Sequence, residues 1–190
     1  MMLRLAAPYL ALGVFWCLFH NAWLAILAYH AQILWWSRGA RPRLARPRPT
    51  PTTLLILPSA LAGPVLGVLL PHIARTDLAA WLDRYHLDGP ALIAMTLYFG
   101  LVHPALEQIH WAPLRARTAV AHAAFAGYHA LVLYSLLPVP WLAACLVVLW
   151  SASWCWKRMV CASGSLLPAI VSQAVADFGM VLVATLGFWE

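Results

Sequence analysis

Pro90-Ala91-Leu92-Ile93-Ala94-Met95-Thr96-Leu97-Tyr98-Phe99-Gly100-Leu101-Val102-His103-Pro104-Ala105-Leu106-Glu107-Gln108-Ile109-His110-Trp111 is long enough and apolar enough to cross a bilayer as a helix. Near its end it carries a carboxylate with a histidine on either side. An acid at membrane depth costs about 2.5–3.5 kcal/mol on insertion scales, so its default reading is functional. The rest of the chain agrees with the membrane reading. It is 64% hydrophobic and 9% charged, with six acidic side chains in 190 residues. Its mean hydropathy is +0.79. Continuous apolar runs of about twenty residues predict spanning helices, whereas a barrel would show short alternating strands. The expected fold is therefore an all-α polytopic membrane protein, one integral domain over residues 1–190.

Six spanning candidates follow: Leu5–Trp36 (long, so tilted or partly interfacial), Thr53–Ile73, Pro90–Trp111, Thr118–Leu137, Pro140–Trp156 and Ser165–Phe188. Arg4 ahead of an apolar run resembles a signal peptide start, but the run continues through His20 and Asn21 to Trp36 without a small-residue cleavage site, which predicts a retained helix. The segment from Ser37 to Pro51 holds Arg38, Arg41, Arg43, Arg46 and Arg48 among prolines and reads as an exposed basic loop. Between Arg75 and Gly89, Leu78, Trp81, Leu82 and Tyr85 recur at helical spacing, as in a short interfacial helix. No internal repeat is evident. Cys17, Cys145, Cys155 and Cys161 show no CxxC spacing and read as buried free thiols.

The net charge of +6 does not point to nucleic acid, because the arginines cluster between hydrophobic runs. With the N-terminus outside, the loops at 37–51, 112–117 and 157–158 face the cytoplasm, and only Arg4, Arg75 and Arg84 lie opposite. That is a positive-inside bias, and it fits a bacterial plasma membrane. Depth follows from the helical rise. Glu107 is about 12 Å from Arg115, His129 about 18 Å from Arg117, and Gln173 and Asp177 about 12 and 18 Å from Ser165. Three helices thus offer polar groups at similar depth. On one of them His103, Glu107 and His110 share a face, and Pro104 is placed to kink it. On the next, His122, Phe125 and His129 share a face. On the last, Gln173 and Asp177 are one turn apart.

These residues carry a resemblance. Pro104-Ala105-Leu106-Glu107-Gln108-Ile109-His110-Trp111-Ala112 resembles the first motif, P-x-x-E-E-x-x-(F/W)-R, of the CAAX-processing and bacteriocin-processing (CPBP, or Abi) intramembrane endopeptidases. Phe125-Ala126-Gly127-Tyr128-His129 is similar to their FxxxH motif. The run from Gly164-Ser165 to Gln173-Ala174-Val175-Ala176-Asp177 is similar to their last, HxxxN or HxxxD. The motif-bearing core spans about 90–188. The chain departs from the pattern at Gln108 and Ala112, which replace an acid and an arginine one turn apart and so read as a charge-balanced pair of changes. Gln173 replaces a histidine.

The resemblance implies peptide hydrolysis within the membrane on a membrane-anchored protein or peptide, with no metal and no cofactor. Glu107 would activate water, and His129 would position it or pass the proton to the leaving amine. Gln173 would donate to the oxyanion, oriented by Asp177. Gln108, His103, His110, Phe125 and His122 would support the site. Two other readings stay open on the residues alone. Glu107 and His110 form Glu-x-x-His, by which helical bundles hold paired metals, and His103, His122 and His129 could add ligands for a metal or haem centre, although only one such motif is present. The loss of the last-motif histidine fits a non-catalytic membrane scaffold.

Overall fold

Two apolar arms joined by a tight turn replace the single long N-terminal helix expected from Leu5 to Trp36. The computed structural model describes residues 1–39 and 42–188, the last two of these by backbone alone; Arg41 of the basic loop lies outside the described residues. Helix α1 (Met2–Leu18) starts as an α-helix and widens into π-helical turns from Leu12. Helix α2 (Ala22–Trp36) starts afresh because Asn21 caps it: its Oδ1 accepts from Leu24 N–H at 2.9 Å. His20 takes a left-handed conformation (φ 50°) at the turn. The tip is tied down where Ala22 N–H donates to the Tyr85 carbonyl at 3.2 Å.

Helix α3 (Pro51–Ile73) begins with 3-10 turns, consistent with Pro58 removing a backbone donor, and is α-helical from Ala62. The short helix α4 (Leu78–Arg84) is capped by Asp77, whose Oδ1 accepts from Ala80 N–H at 2.9 Å. Its apolar face packs on the protein, with Tyr85 stacked on Trp16 at 4.0 Å between centroids. Helices α5 (Gly89–Leu101) and α6 (His103–Arg117) form one span broken at Val102, two residues before Pro104. Helices α7 (Val120–Leu133), α8 (Val139–Ser163) and α9 (Leu167–Phe188) complete the bundle, and α8 is closed by Gly164 in the left-handed conformation (φ 70°). Among the described residues there is no strand.

Four of these helices are long and apolar enough to cross a bilayer: Pro51–Ile73, Gly89–Arg117, Val139–Ser163 and Leu167–Leu186. Helix α7, expected as a fourth full span, is a shorter apolar helix. Large apolar side chains cover the outside, among them Leu57, Val68, Val147 and Val148. An apolar surface of this extent suits lipid, and the chain is an all-α membrane protein. Helix α9 lies at the centre, packed on α3, α5, α6 and α8. Its closest approach is to α3, where a Cβ on Gly63 would lie 2.6 Å from the Gly179 carbonyl. The four cysteines are unpaired, but they are half-buried or, for Cys161, exposed, and not buried as expected.

The hairpin also revises sidedness. Leu3 shares a cleft with Trp35 and Trp36, so the N-terminus lies at the same end as the basic loop and not opposite it. That loop is held there by Arg48 N–H donating to Ser163 O (3.1 Å) and Leu166 N–H to Arg43 O (2.8 Å). Among the described residues, only Arg75 and Arg84 remain at the α4 end. The charge asymmetry is therefore sharper than the sequence suggested. In sealed vesicles, protease should remove an N-terminal tag and a tag inserted after Arg46 from one side, and a tag after His86 from the other. Opposite accessibility of the first two would contradict the hairpin. Gly63→Val should cost roughly 1–3 kcal/mol of stability in detergent unfolding, whereas Gly13→Ala, with open space around it, should stay within about 0.5 kcal/mol.

Candidate functional site

Glu107 is fully buried on α6, and its carboxylate is met by donors from four helices. Tyr29 Oη on α2 donates to Oε1 at 3.0 Å, and Tyr128 Oη on α7 donates to the same oxygen. On Oε2, Gln173 Nε2 of α9 donates at 2.5 Å, and His103 Nε2, one turn back on α6, lies at 3.3 Å. A carboxylate offers about four acceptor positions, so this one is saturated. Trp111 Nε1 donates to Tyr29 Oη at 2.8 Å, which leaves the Tyr29 hydrogen to point at Glu107. Hydrogen bonds to a charged group contribute about 1.5–3 kcal/mol each, enough in sum to offset the burial of one carboxylate.

On the other side of Glu107 two amides run to a buried cation. Gln173 Oε1 accepts from Gln108 Nε2 at 2.6 Å, and Gln108 Oε1 accepts from Arg115 Nη2 at 2.5 Å. Arg115 is only donor and the ionised Glu107 only acceptor, so each end of this chain dictates which way both amides face. The two buried charges are thus joined through polarised dipoles. This corrects the sequence reading of Arg115. Arg115 is not a surface flank but 1% exposed, and it is joined to Gln108 within the bundle. Arg115 Nη1 also reaches Ser153 Oγ at 3.5 Å, and Ser153 Oγ lies 2.8 Å from His122 Nδ1.

Asp177 Oδ2 lies 3.2 Å from Gln173 Nε2. With Glu107 and Asp177 as acceptors, both amide hydrogens of Gln173 are already engaged. Of the residues singled out from sequence, His103 and Gln173 contact Glu107, and Gln108 and Asp177 are linked to it through Gln173. The others do not reach its carboxylate. His129 turns Nδ1 to its own helix, 2.9 Å from the Phe125 carbonyl, and stacks on Tyr128. Its neighbour Tyr128 is the residue of this helix that bonds to Glu107. Phe125 packs edge-on against Trp111 and Trp156. His110 Nε2 contacts the Arg4 carbonyl at 3.1 Å, and His122 stacks flat on Trp154 at 3.8 Å. Among the described residues no three His, Cys, Asp or Glu side chains are grouped to hold a metal ion. His110 Nε2 is turned to the Arg4 carbonyl and His122 Nδ1 to Ser153 Oγ, and neither bonds to Glu107.

Sequence reasoning missed Tyr29, Tyr128, Trp111, Arg115 and Ser153. It also missed His30, whose Nε2 lies 3.0 Å from His103 Nδ1, and Tyr98, whose Oη lies 2.7 Å from His30 Nδ1. Tyr29-His30 could have been noticed as two polar-tipped side chains in the middle of an apolar run. No protein-family model, curated protein or solved structure matches this chain.

Glu107 and Arg115 should behave as one electrostatic unit. Removing either charge (Glu107→Gln or Arg115→Met) should destabilise by about 3–5 kcal/mol. The double variant should lose at least about 1 kcal/mol less than the sum of the two, measured by a double-mutant cycle in detergent unfolding. Strict additivity would show that the two amides carry no coupling.

Proposed function

We propose that this chain is an intramembrane peptide hydrolase, similar in mechanism to the CPBP endopeptidases, in which Glu107 draws a proton from water. The observation that carries the reading is Gln173 Nε2, which bridges Glu107 on α6 to Asp177 on the same helix as itself. Glu107 belongs to the first of the three motifs that carry the resemblance and Gln173 and Asp177 to the last, and they come together from two helices in a buried polar centre. For reaction, water must replace one of the four donors. The His103 contact, at 3.3 Å, is the longest and the first to yield. Water then gives its proton to Glu107, and its oxygen adds to the peptide carbonyl. The oxyanion is met by a Gln173 hydrogen released from Asp177, and Glu107 returns the proton to the leaving amine.

The substrate class is a membrane-anchored protein or peptide precursor. In this reading the basic end, with the N-terminus, faces the cytoplasm of a bacterial plasma membrane, an orientation that the positive-inside rule supports. A second reading, a non-catalytic scaffold, is favoured by one observation: protein donors fill every acceptor position of Glu107, and His129 is bonded to its own backbone.

Comparing new N-termini in membranes of the source organism carrying wild type or Glu107→Asp separates the two. Glu107→Asp keeps the charge that Arg115 needs but withdraws the carboxylate by a methylene. A set of cleaved products that vanishes in this folded variant supports hydrolysis. Identical profiles sink hydrolysis and leave the scaffold.

A further inference from the structure

His103 has a second partner besides Glu107, and the hydrolytic scheme makes no use of it. From Glu107 a line of titratable side chains runs outward across the α6–α2–α5 interface. His103 Nε2 lies 3.3 Å from Glu107 Oε2, His30 Nε2 lies 3.0 Å from His103 Nδ1, and Tyr98 Oη lies 2.7 Å from His30 Nδ1. His30 and His103 are both buried, with rings 22° apart in plane, and Phe99 stacks on His103 at 4.4 Å. The rings are thus held in place. Tyr98 is half-buried on α5 and beside Trp23 of α2.

One set of tautomers satisfies every link. An ionised Glu107 requires hydrogen on His103 Nε2, so His103 Nδ1 is bare and accepts from His30 Nε2–H. His30 Nδ1 is then bare and accepts from Tyr98 O–H. Every donor points toward Glu107. On the opposite side Glu107 meets the amides of Gln173 and Gln108, which donate and accept but do not titrate. The other charged or titratable groups that face Glu107 are Tyr29 of α2, Tyr128 and His129 of α7, Asp177 of α9, and Arg115 and His110 of α6, the last with Nε2 on the Arg4 carbonyl. None of them continues as a chain of imidazoles toward the outside.

We propose that Tyr98, His30 and His103 form a proton relay by which Glu107 exchanges its proton with the outside of the bundle, from one side only. The step balances. Tyr98 passes its proton to His30 Nδ1, His30 releases Nε2–H to His103 Nδ1, and His103 releases Nε2–H to Glu107 Oε2. A solvent hydronium at the Tyr98 hydroxyl restores the proton lost there and leaves as water. The reverse sequence discharges Glu107. His30 and Tyr98 are positioning and relay residues that never touch a substrate. The relay goes beyond the hydrolytic reading and stands whether or not Glu107 cuts peptides.

The test uses the purified full chain in nanodiscs and needs no substrate. A pH jump is followed by infrared spectroscopy of the protonated carboxyl, with the Glu107 band assigned by its loss in Glu107→Gln and separated from Asp177 by Asp177→Asn. His30→Gln retains hydrogen-bonding groups but cannot relay, and it should slow the appearance of the band by about 10²-fold while leaving its final amplitude unchanged. Tyr98→Phe, at the half-buried end where folding is least at risk, should also slow it. Added imidazole should restore the rate in His30→Gly. Wild-type rates in both His30→Gln and Tyr98→Phe would overturn the relay. So would the absence of any Glu107 band at every pH at which the protein stays folded.

Discussion

A carboxylate surrounded by apolar side chains keeps its charge only if protein donors replace the water it has given up. Glu107 meets that requirement with Tyr29, His103, Tyr128 and Gln173, drawn from α2, α6, α7 and α9. Lipid gives these helices little hydrophobic reason to prefer one another, because hydrocarbon chains are as apolar as leucine. The carboxylate and the close Gly63–Gly179 approach supply the specificity that water supplies in a soluble bundle. Arg115 completes the account. Two amides join it to Glu107, so a net neutral unit is buried, and not a lone charge.

The same saturation sets a condition on chemistry. A base that must touch water cannot have all its acceptor positions filled, so for the proposed hydrolysis the arrangement seen would be the resting one, opening at the long His103 contact. His103 also lies between Glu107 and His30, and a shift of this one ring would admit water to the carboxylate and break the relay together. The departures from the family-like pattern fit this picture. Gln108 and Gln173 are neutral, but they link the guanidinium to the carboxylate through space that an acid and a histidine would fill with charge.

Much of the fold could be read from the chain because lipid imposes length and apolarity on any spanning helix. The runs starting near Thr53, Pro90, Pro140 and Ser165 are helices that begin near the expected residues, but the second and third continue to Arg117 and Ser163, so 112–117 and 157–158 are helical and not the loops expected. The first run misled because Asn21 caps a helix inside an apolar stretch, and a single capping residue is a weak signal beside thirty apolar ones. That one turn reversed the placement of the N-terminus. At the site, Glu107, His103, Gln173 and Asp177 could be found from spacing and depth, since polar groups in apolar helices stand out. Tyr128 could not, because a tyrosine at such depth looks like one more aromatic, and Tyr29 was marked only by its neighbour His30. Arg115 resembled an ordinary cationic flank, as arginines at helix ends usually are. His129 matched a motif by position, yet its helix turns Tyr128 toward the carboxylate instead.

The central claim is that Glu107 adds water directly to a peptide bond inside the membrane. It is tested most directly by incubating the purified chain, reconstituted with membrane protein extracted from cells that lack it, in oxygen-18 water. New C-termini should carry a single solvent oxygen with the wild-type chain and be absent with Glu107→Asp. Equal yields of labelled C-termini from both proteins, or none from either, would contradict the account.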